Sequence, residues 1–485
     1  MPKPTPVLVW FRRDLRLADN PALSAAAKGG RPIVPIFILD EETTGTRPLG
    51  GASRWWLHQS LAALAIDLSQ RGVRLVLRRG PAAEVLNGLV AETGADAVFW
   101  NRRYDPASVA RDRGIKRALT ERGITVESFN ASLLAEPWHV ATKAGKPFSV
   151  FTPFWKALQD AVAPDAPLPA PEKIAGPAGP IAGNTLDDWR LLPTEPDWAA
   201  GFRPLWTPGE DGARQRFEDF RDQALADYAD QRDIPSNPGT SRLSPHLHFG
   251  EIGPRQLWHA VRFWMERSGS RAETGGVAFL RELGWREFNY HLLFHHPAMP
   301  EKNVNASFDT FPWRDDADAF KAWQQGRTGY PIVDAGMREL WLTGWMHNRV
   351  RMIAASFLVK HLLLDWRLGE AWFWDTLVDA DRANNAGNWQ WVAGSGFDAA
   401  PYFRIFNPVI QGERFDSDGA YVRRWVPELA RLPDRYLHKP WDAPADVLAG
   451  AGVRLGETYP RPIVDHKAAR QRALDAYAAI KKLRS

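Results

Sequence analysis

The first 130 residues alternate short apolar runs with helical patterns, and this alternation constrains the fold more than any other feature of the chain. The runs are Val7–Phe11, Ile33–Leu39, Arg74–Leu77, Ala97–Trp100 and Thr125–Phe129. The clearest helix between them is Ser53–Gln70, where Leu57, Leu61, Leu64 and Leu68 recur at 4-3-4 spacing and form one apolar stripe. Near-continuous apolar strands separated by amphipathic helices call for a parallel sheet covered on both faces. Residues 1–135 are therefore expected to form a doubly wound α/β domain. The first run leads into Arg12-Arg13-Asp14-Leu15-Arg16-Leu17 and not into a glycine-rich loop. Without G-x-G-x-x-G a nicotinamide-dinucleotide dehydrogenase is disfavoured, whatever the topology.

Residues 136–208 read as an interdomain linker, because ten prolines fall between Pro164 and Pro208. Residues 209–485 read as an all-α domain, with Ala335–Leu364 as one long helical segment carrying Met337, Leu340, Trp341, Trp345, Val350 and Ile353. The absence of cysteine removes disulfides, thiolate nucleophiles, iron–sulfur clusters and Cys-ligated zinc. With 45% hydrophobic and 24% charged residues the chain is expected to be soluble and globular. No run reaches the roughly 18 apolar residues of a membrane span, and Met1–Pro6 lacks the apolar stretch of a secretion signal. A cytoplasmic location is the expectation. A net charge of +4 does not demand a polyanionic partner, although it leaves room for a local basic face. The 23 tryptophans have two readings: a core rich in large apolar rings, or flat oxidisable rings used for stacking and electron relay.

Four constellations stand out. Gly239–Pro245 crowds three hydroxyls and an Arg before a helix, which suits a phosphate or a plain capping loop. In Glu282–Phe288 and Asn289, helical spacing puts Glu282, Trp285, Arg286 and Asn289 on one face, able to read a base edge or simply to pair Glu282 with Arg286. Thr343–Met352 sets two Arg, an Asn and a His within an apolar helical stretch, where burial requires partners. Asp379–Trp391 holds two Asp, three Asn and two Trp, the composition of a wall around a heteroaromatic ring or of a turn-rich loop. His291, His295 and His296 lack the H-E-x-x-H pattern, and no metal is expected.

In this order the blocks resemble the photolyase/cryptochrome family. The matching stretches are Phe11–Arg16, Gly239–Pro245, Glu282–Phe288, Thr328–Ala335, Thr343–Met352 and Asp398–Pro408, which span nearly the whole chain. The resemblance implies an α/β antenna domain, a linker and a helical FAD-binding domain. It implies repair of cyclobutane pyrimidine dimers, flipped out of ultraviolet-damaged DNA, by one electron from photoexcited reduced FAD, without a metal. Residue by residue, Tyr228, Thr240, Ser241, Arg242, Leu243 and Ser244 match contacts to FAD, chiefly its phosphates. Asp379 and Asp381 match flavin-side partners, and Asn385 matches the residue facing flavin N5. A neutral amide there is similar to DNA-repairing members, whereas plant cryptochromes tend to carry Asp. Glu282 matches the carboxyl that hydrogen-bonds the dimer, Trp285 and Trp391 would stack on it, and Asn348 and Met352 would line the pocket. Arg232, Arg286, Arg349 and Gln411 match contacts to DNA.

Trp389, Trp366 and Trp313 match a three-Trp relay from flavin to surface, with Trp372, Trp374 and Trp323 as side routes. A cryptochrome photoreceptor is the alternative, although few residues follow Ile463–His466, which is expected to leave no long signalling tail. Repair of (6-4) photoproducts ranks lower, because that branch usually carries His in place of Met352. The antenna is expected to be methenyltetrahydrofolate in preference to a deazaflavin. Tyr104-Asp105-Pro106-Ala107-Ser108 lacks the Asn-Glu of the best-known folate site, but Gly50–His58 and Trp100–Tyr104 resemble branches that hold folate differently. The protein is expected to act as a monomer with no obligate protein partner.

Overall fold

Five strands form one all-parallel sheet in the order β3-β2-β1-β4-β5. They are β1 Val7–Phe11, β2 Ile33–Leu39, β3 Val76–Arg79, β4 Ala97–Asn101 and β5 Thr125–Phe129, in a computed structural model that describes residues 4–161, 164–399 and 403–482. Ala400, Pro401 and Tyr402 of the last matching block lie outside the described residues. The strand order reverses between β1 and β4, as in a doubly wound fold. Every residue of β1, β2 and β4 is buried, which accounts for their continuous apolar sequences. The third strand starts two residues later than its apolar run. Pairing of Ile36–Leu39 with Val76–Arg79 sets its bounds, and the polar Arg78 and Arg79 are carried at its end.

The helices are α1 Pro21–Lys28, α2 Gly51–Gln70, α3 Ala82–Thr93, α4 Pro106–Glu121, α5 Phe151–Ala161, α6 Glu210–Gln223, α7 Tyr228–Gln231, α8 Ser244–Phe249 and α9 Pro254–His295. They continue as α10 Ala317–Gln324, α11 Pro331–Thr343, α12 Asn348–Ser356, α13 Trp366–Thr376, α14 Arg382–Ala393, α15 Pro408–Phe415, α16 Ala420–Trp425, α17 Asp434–Leu437, α18 Ala445–Ala451 and α19 His466–Lys482. Gly269 interrupts α9 with a φ of 73°. Side-chain caps start several of the helices. Asn20 accepts from Leu23 N ahead of Pro21, and Asp381 accepts from Ala383 N and Asn384 N at the start of α14.

The chain divides into two compact units. The first takes residues up to 197 together with 206–226 and 241–297, and the second takes 198–205, 227–240 and 298 onward. Within the first unit the proline-rich stretch is no free tether. Ile33 N donates to Ala175 O (2.7 Å), Asn184 N to Leu77 O (2.9 Å) and Asp19 N to Leu168 O (2.7 Å). Residues 136–208 also contain α5. In the second unit the expected continuous helix over Ala335–Leu364 is broken. Gly344 ends α11 at φ +70°, and a Cβ there would meet Phe202 and Val378 at 2.7 Å. His347 then caps α12, which runs on into a π-helical turn at Phe357–His361.

Thr328–Ala335 proves to be scaffolding. The buried Asp334 carboxylate accepts from Thr328 N (2.7 Å), Thr328 Oγ1 (2.6 Å), Gly329 N (3.0 Å) and Tyr459 OH (2.7 Å), tying the start of α11 to the chain beyond α18. An Asn there would turn an NH2 group toward donors. Asp334→Asn should therefore cost about 2–4 kcal/mol of stability, measured by urea unfolding. A variant within 0.5 kcal/mol (roughly the scatter of a neutral surface change) would refute the clamp.

Candidate active site

In the second unit the polar block Asp379–Trp391 forms the approach to α14 and α14 itself. Burial obliges each polar group to find a partner. Asp379 receives a two-point bond from Arg351 (3.1 and 2.8 Å). Asn385 donates through Nδ2 to Glu370 O (3.0 Å) and to Glu370 Oε1 (2.8 Å). Two acceptors on one side fix the orientation of the amide, and its Oδ1 accepts no hydrogen bond among the described residues. Gln390 donates to Met299 O (2.6 Å) and Lys302 O (3.0 Å) and accepts from Val304 N (3.0 Å), which fastens the loop 299–304 to α14.

The three tryptophans expected to form a relay all lie in this unit. Trp389 is buried on α14, Trp366 is fully buried as the first residue of α13, and Trp313 is half-buried. A Cβ on Gly369 would stand 2.1 Å from Trp389 Cη2, so a glycine is what lets this indole seat against α13. The Trp366 indole N–H donates to Asn303 Oδ1 (2.9 Å). Arg314 N donates to Leu363 O (2.8 Å), which holds the segment after Trp313 beside the approach to α13. Of the side routes, Trp323 meets Trp389 edge-on at 6.2 Å and donates to Ala354 O (3.0 Å). Trp372 stacks at 6.0 Å on the exposed Trp341, and Trp374 is buried in the core.

Asn348, Arg349 and Met352 sit together on α12, with Asn348 exposed and Met352 half-buried. The Arg349 guanidinium pairs with Asp233, lies 4.5 Å from the Phe415 ring and reaches Met352 Sδ at 4.0 Å. Trp391 is half-buried on α14. Gln411 is buried on α15, and its Oε1 has no partner among the described residues. Arg232 lies over the buried Tyr228 ring at 5.3 Å, and Thr240 is half-buried.

In the first unit Glu282, Trp285 and Arg286 are half-buried on α9. Phe151 of α5 stacks on Trp285 at 3.7 Å with planes 7° apart. Gly284 makes room for Trp155 of the same helix α5, since a Cβ there would stand 2.4 Å from its ring. Arg286 donates to Ser132 O (2.7 Å) and pairs with Glu287 (3.2 Å), so this guanidinium braces the loop beside α9. In the hydroxyl-rich block Ser241 Oγ accepts from Leu243 N (3.3 Å), Arg242 takes a left-handed φ of 50° and Ser244 opens α8. Behind it His246 pairs with Glu251, which also accepts from Trp56 Nε1 (3.0 Å).

His291 accepts from Phe148 N (3.0 Å). Among the described residues no group of three or more His, Cys, Asp or Glu could hold a metal ion. Asp105 caps α4 by accepting from Ser108 N (3.0 Å). Burial opposes its ionisation, but Arg103 and the Ser108 bonds hold the carboxyl well below its ordinary range. Tyr104 donates to Asn130 (3.1 Å), so this pair of side chains serves the local structure. Among the described residues no helix is long and apolar enough to cross a membrane.

Sequence reasoning missed Glu370, Asp233, Phe151 and Asn303, each of which acts on a site residue far away in the chain. Arg351 carried a signal, as one of two Arg in an apolar stretch.

The architecture defines a class: a doubly wound α/β sheet with a helical unit whose buried amides and indoles converge on one helix. The sequence model described as "DNA photolyase" matches residues 7–172, and that described as "FAD binding domain of DNA photolyase" matches residues 279–479. A deoxyribodipyrimidine photo-lyase of Agrobacterium fabrum is 57% identical over 480 residues, 99% of each chain. Cryptochrome-1 of Arabidopsis thaliana is 43% identical over 98% of this chain and 70% of its own. A solved bacterial class III photolyase from Agrobacterium tumefaciens superposes with a TM-score of 0.96 at 57% identity, covering 99% of both chains. The chain belongs to the DNA photolyase family, within which cryptochromes are also its relatives.

Glu287, next to Arg286, adds a pH dependence. Burial raises its carboxyl to about 7, against the downward pull of Arg286 and the N–H groups of Leu134 and Ala135. The folded state therefore binds a proton that the unfolded state releases, and stability falls as pH rises from about 4.5 to about 7. Glu287→Gln should remove that part of the decline, up to about 3 kcal/mol. Urea unfolding of both proteins across this window measures it, and parallel profiles would contradict it.

Proposed function

We propose that this protein is a light-driven enzyme that splits cyclobutane pyrimidine dimers in ultraviolet-damaged DNA, with FAD as its redox cofactor. The observation that carries the reading is the Asn385 amide. Glu370 presents two acceptors to it, so a donor must stand there, and a neutral amide leaves its oxygen as an acceptor for a ring N–H. Over 99% of both chains the likeness to the Agrobacterium photo-lyase supports the same reading.

The residues fit the cofactor. Arg351 and Asp379 set a donor fork beside a carboxylate and Asn385 offers an acceptor, the donor and acceptor types that the edge of an isoalloxazine calls for. Tyr228, Asp381 and Thr240–Ser244 would hold the remainder. When bound and reduced, FAD supplies one electron to the dimer on illumination and receives it back after the ring opens. The chain's own part is positional. Asp379 orients Arg351, and Glu370 orients Asn385. Phe151 fixes the plane of Trp285, which with Trp391 would stack on the flipped pyrimidines, each base gaining about 1–3 kcal/mol. Glu282 would hydrogen-bond the dimer, with Asn348 and Met352 lining the pocket. Arg232, Arg286, Arg349 and Gln411 would contact the DNA, and Arg–phosphate contacts would make binding salt-dependent.

In this reading residues 1–135 carry the antenna, 136–208 connect, and 209–485 bind FAD and DNA. The antenna is methenyltetrahydrofolate in preference to a deazaflavin, a reading that rests on the resemblance of Gly50–His58 and Trp100–Tyr104 to branches that hold folate differently and on the likeness to a class III photolyase. The enzyme works as a cytoplasmic monomer without an obligate protein partner. A blue-light photoreceptor is the second reading, favoured by 43% identity to a plant cryptochrome. Repair of (6-4) photoproducts ranks below it, since Met352 stands where that branch usually carries His.

Two variants separate the roles. Glu282→Ala should slow dimer repair about tenfold or more, the factor carried by a hydrogen bond from a charged group, with FAD still bound; a fully active variant would remove Glu282 from the reaction. Trp389→Phe should block photoreduction of oxidised FAD while chemically reduced enzyme keeps repairing; equal loss of both would make Trp389 structural.

A further inference from the structure

The relay reading leaves a chemical problem at its middle member. When Trp389 is oxidised by the light-excited flavin and takes an electron from Trp366, the Trp366 indole gains one positive charge. Its Nε1–H becomes acidic. A base on that hydrogen would take the proton and leave a neutral radical that holds the vacancy, instead of passing it to Trp313.

Trp366 is fully buried, and its N–H has one acceptor, Asn303 Oδ1 at 2.9 Å. Asn303 is itself buried, and its Nδ2 donates to Asp309 Oδ1 at 2.8 Å. An indole, an amide and a carboxylate thus form one hydrogen-bonded line. The amide passes on the stabilising field of Asp309 but has no basic site for the proton. The charges around the indole make this matter. Arg367 lies 4.8 Å from the ring centre and favours loss of the proton, while Asp365 pairs with Arg367 at 3.0 Å and offsets it in part. The loop that carries Asn303 is fixed by Gln390, the neighbour of Trp389 in sequence.

We propose that Asn303 is a positioning residue that gives the Trp366 N–H a non-basic acceptor at the one place where a carboxylate would take its proton, so that the middle tryptophan conducts and does not trap. The step balances. One electron moves from Trp366 to Trp389, the indole keeps its proton, and one electron from Trp313 restores it. This inference rests on the three-Trp relay reading.

The test is transient absorption after a light flash on FAD-loaded protein at pH 8, which distinguishes a protonated from a neutral indole radical. Wild type, Asn303→Leu, Asn303→Asp, Asn303→Gln and Trp366→Phe are compared. Wild type should show the protonated radical before the vacancy reaches Trp313. Asn303→Asp offers a carboxylate in the same place and should show an early neutral radical, with a photoreduction yield down about tenfold, the factor expected when an interaction with a charged group is changed. Asn303→Leu has no base and should keep the radical protonated, and Asn303→Gln should restore the yield to within about twofold. A neutral Trp366 radical in wild type, or equal losses in Leu and Asp with no change of protonation, would overturn the assignment. Unimpaired photoreduction in Trp366→Phe would instead overturn the relay on which it rests.

Discussion

Helix α14 must bury amides and carboxylates that water would otherwise satisfy, and the second unit is arranged around meeting that demand. Glu370 meets it for Asn385, Arg351 for Asp379, and the carbonyls of Met299 and Lys302 for Gln390. Each bond also places something else. Glu370 lies on α13, so the bond that orients the Asn385 amide also joins the two helices that carry Trp366 and Trp389. The Gln390 bonds place the loop that carries Asn303 against the same helices. Removing one of these partners would therefore disturb Asn385, Asp379 or Gln390 together with the helices that carry Trp366 and Trp389.

The first unit solves a different problem. Its sheet is covered by helices, and the proline-rich stretch is hydrogen-bonded along it, so a segment that could have been a flexible tether is ordered by Ala175 O and Leu77 O at the sheet. Helix α5, within the same stretch, supplies Phe151 as a flat support for Trp285. A large aromatic ring that is half-buried loses side-chain freedom when a second ring lies against it at 3.7 Å, and a stacking surface held in this way has less entropy left to lose on binding a base.

Much of this was legible in the chain. Apolar runs located all five strands, most clearly β1, β2 and β4, because fully buried parallel strands need no polar face. The helical spacing of Glu282 was legible, whereas Asp379–Trp391 reads as a wall or a turn-rich loop and is a helix from Arg382 onward. The failures share a cause. Residues 335–364 look like one helix because their periodicity is helical, but Gly344 ends α11 in a left-handed turn, packed so close to Phe202 and Val378 that no Cβ would fit, and neither partner is near it in sequence. The clamp in Thr328–Ala335 carries no local signal, because its Asp is answered by Tyr459, 125 residues away. Glu370, Asp233, Phe151 and Asn303 carry no local signature, since each is defined by the distant side chain it holds.

The central claim is that this fold repairs dimers with light and does not merely sense it. The direct measurement is chromatographic quantification of the thymine dimer in ultraviolet-irradiated DNA, incubated with reduced, FAD-loaded protein under blue light and in darkness. The account predicts conversion of the dimer to thymines in the light alone. An unchanged dimer in both, with FAD bound and photoreducible, would contradict it and leave the photoreceptor reading in its place.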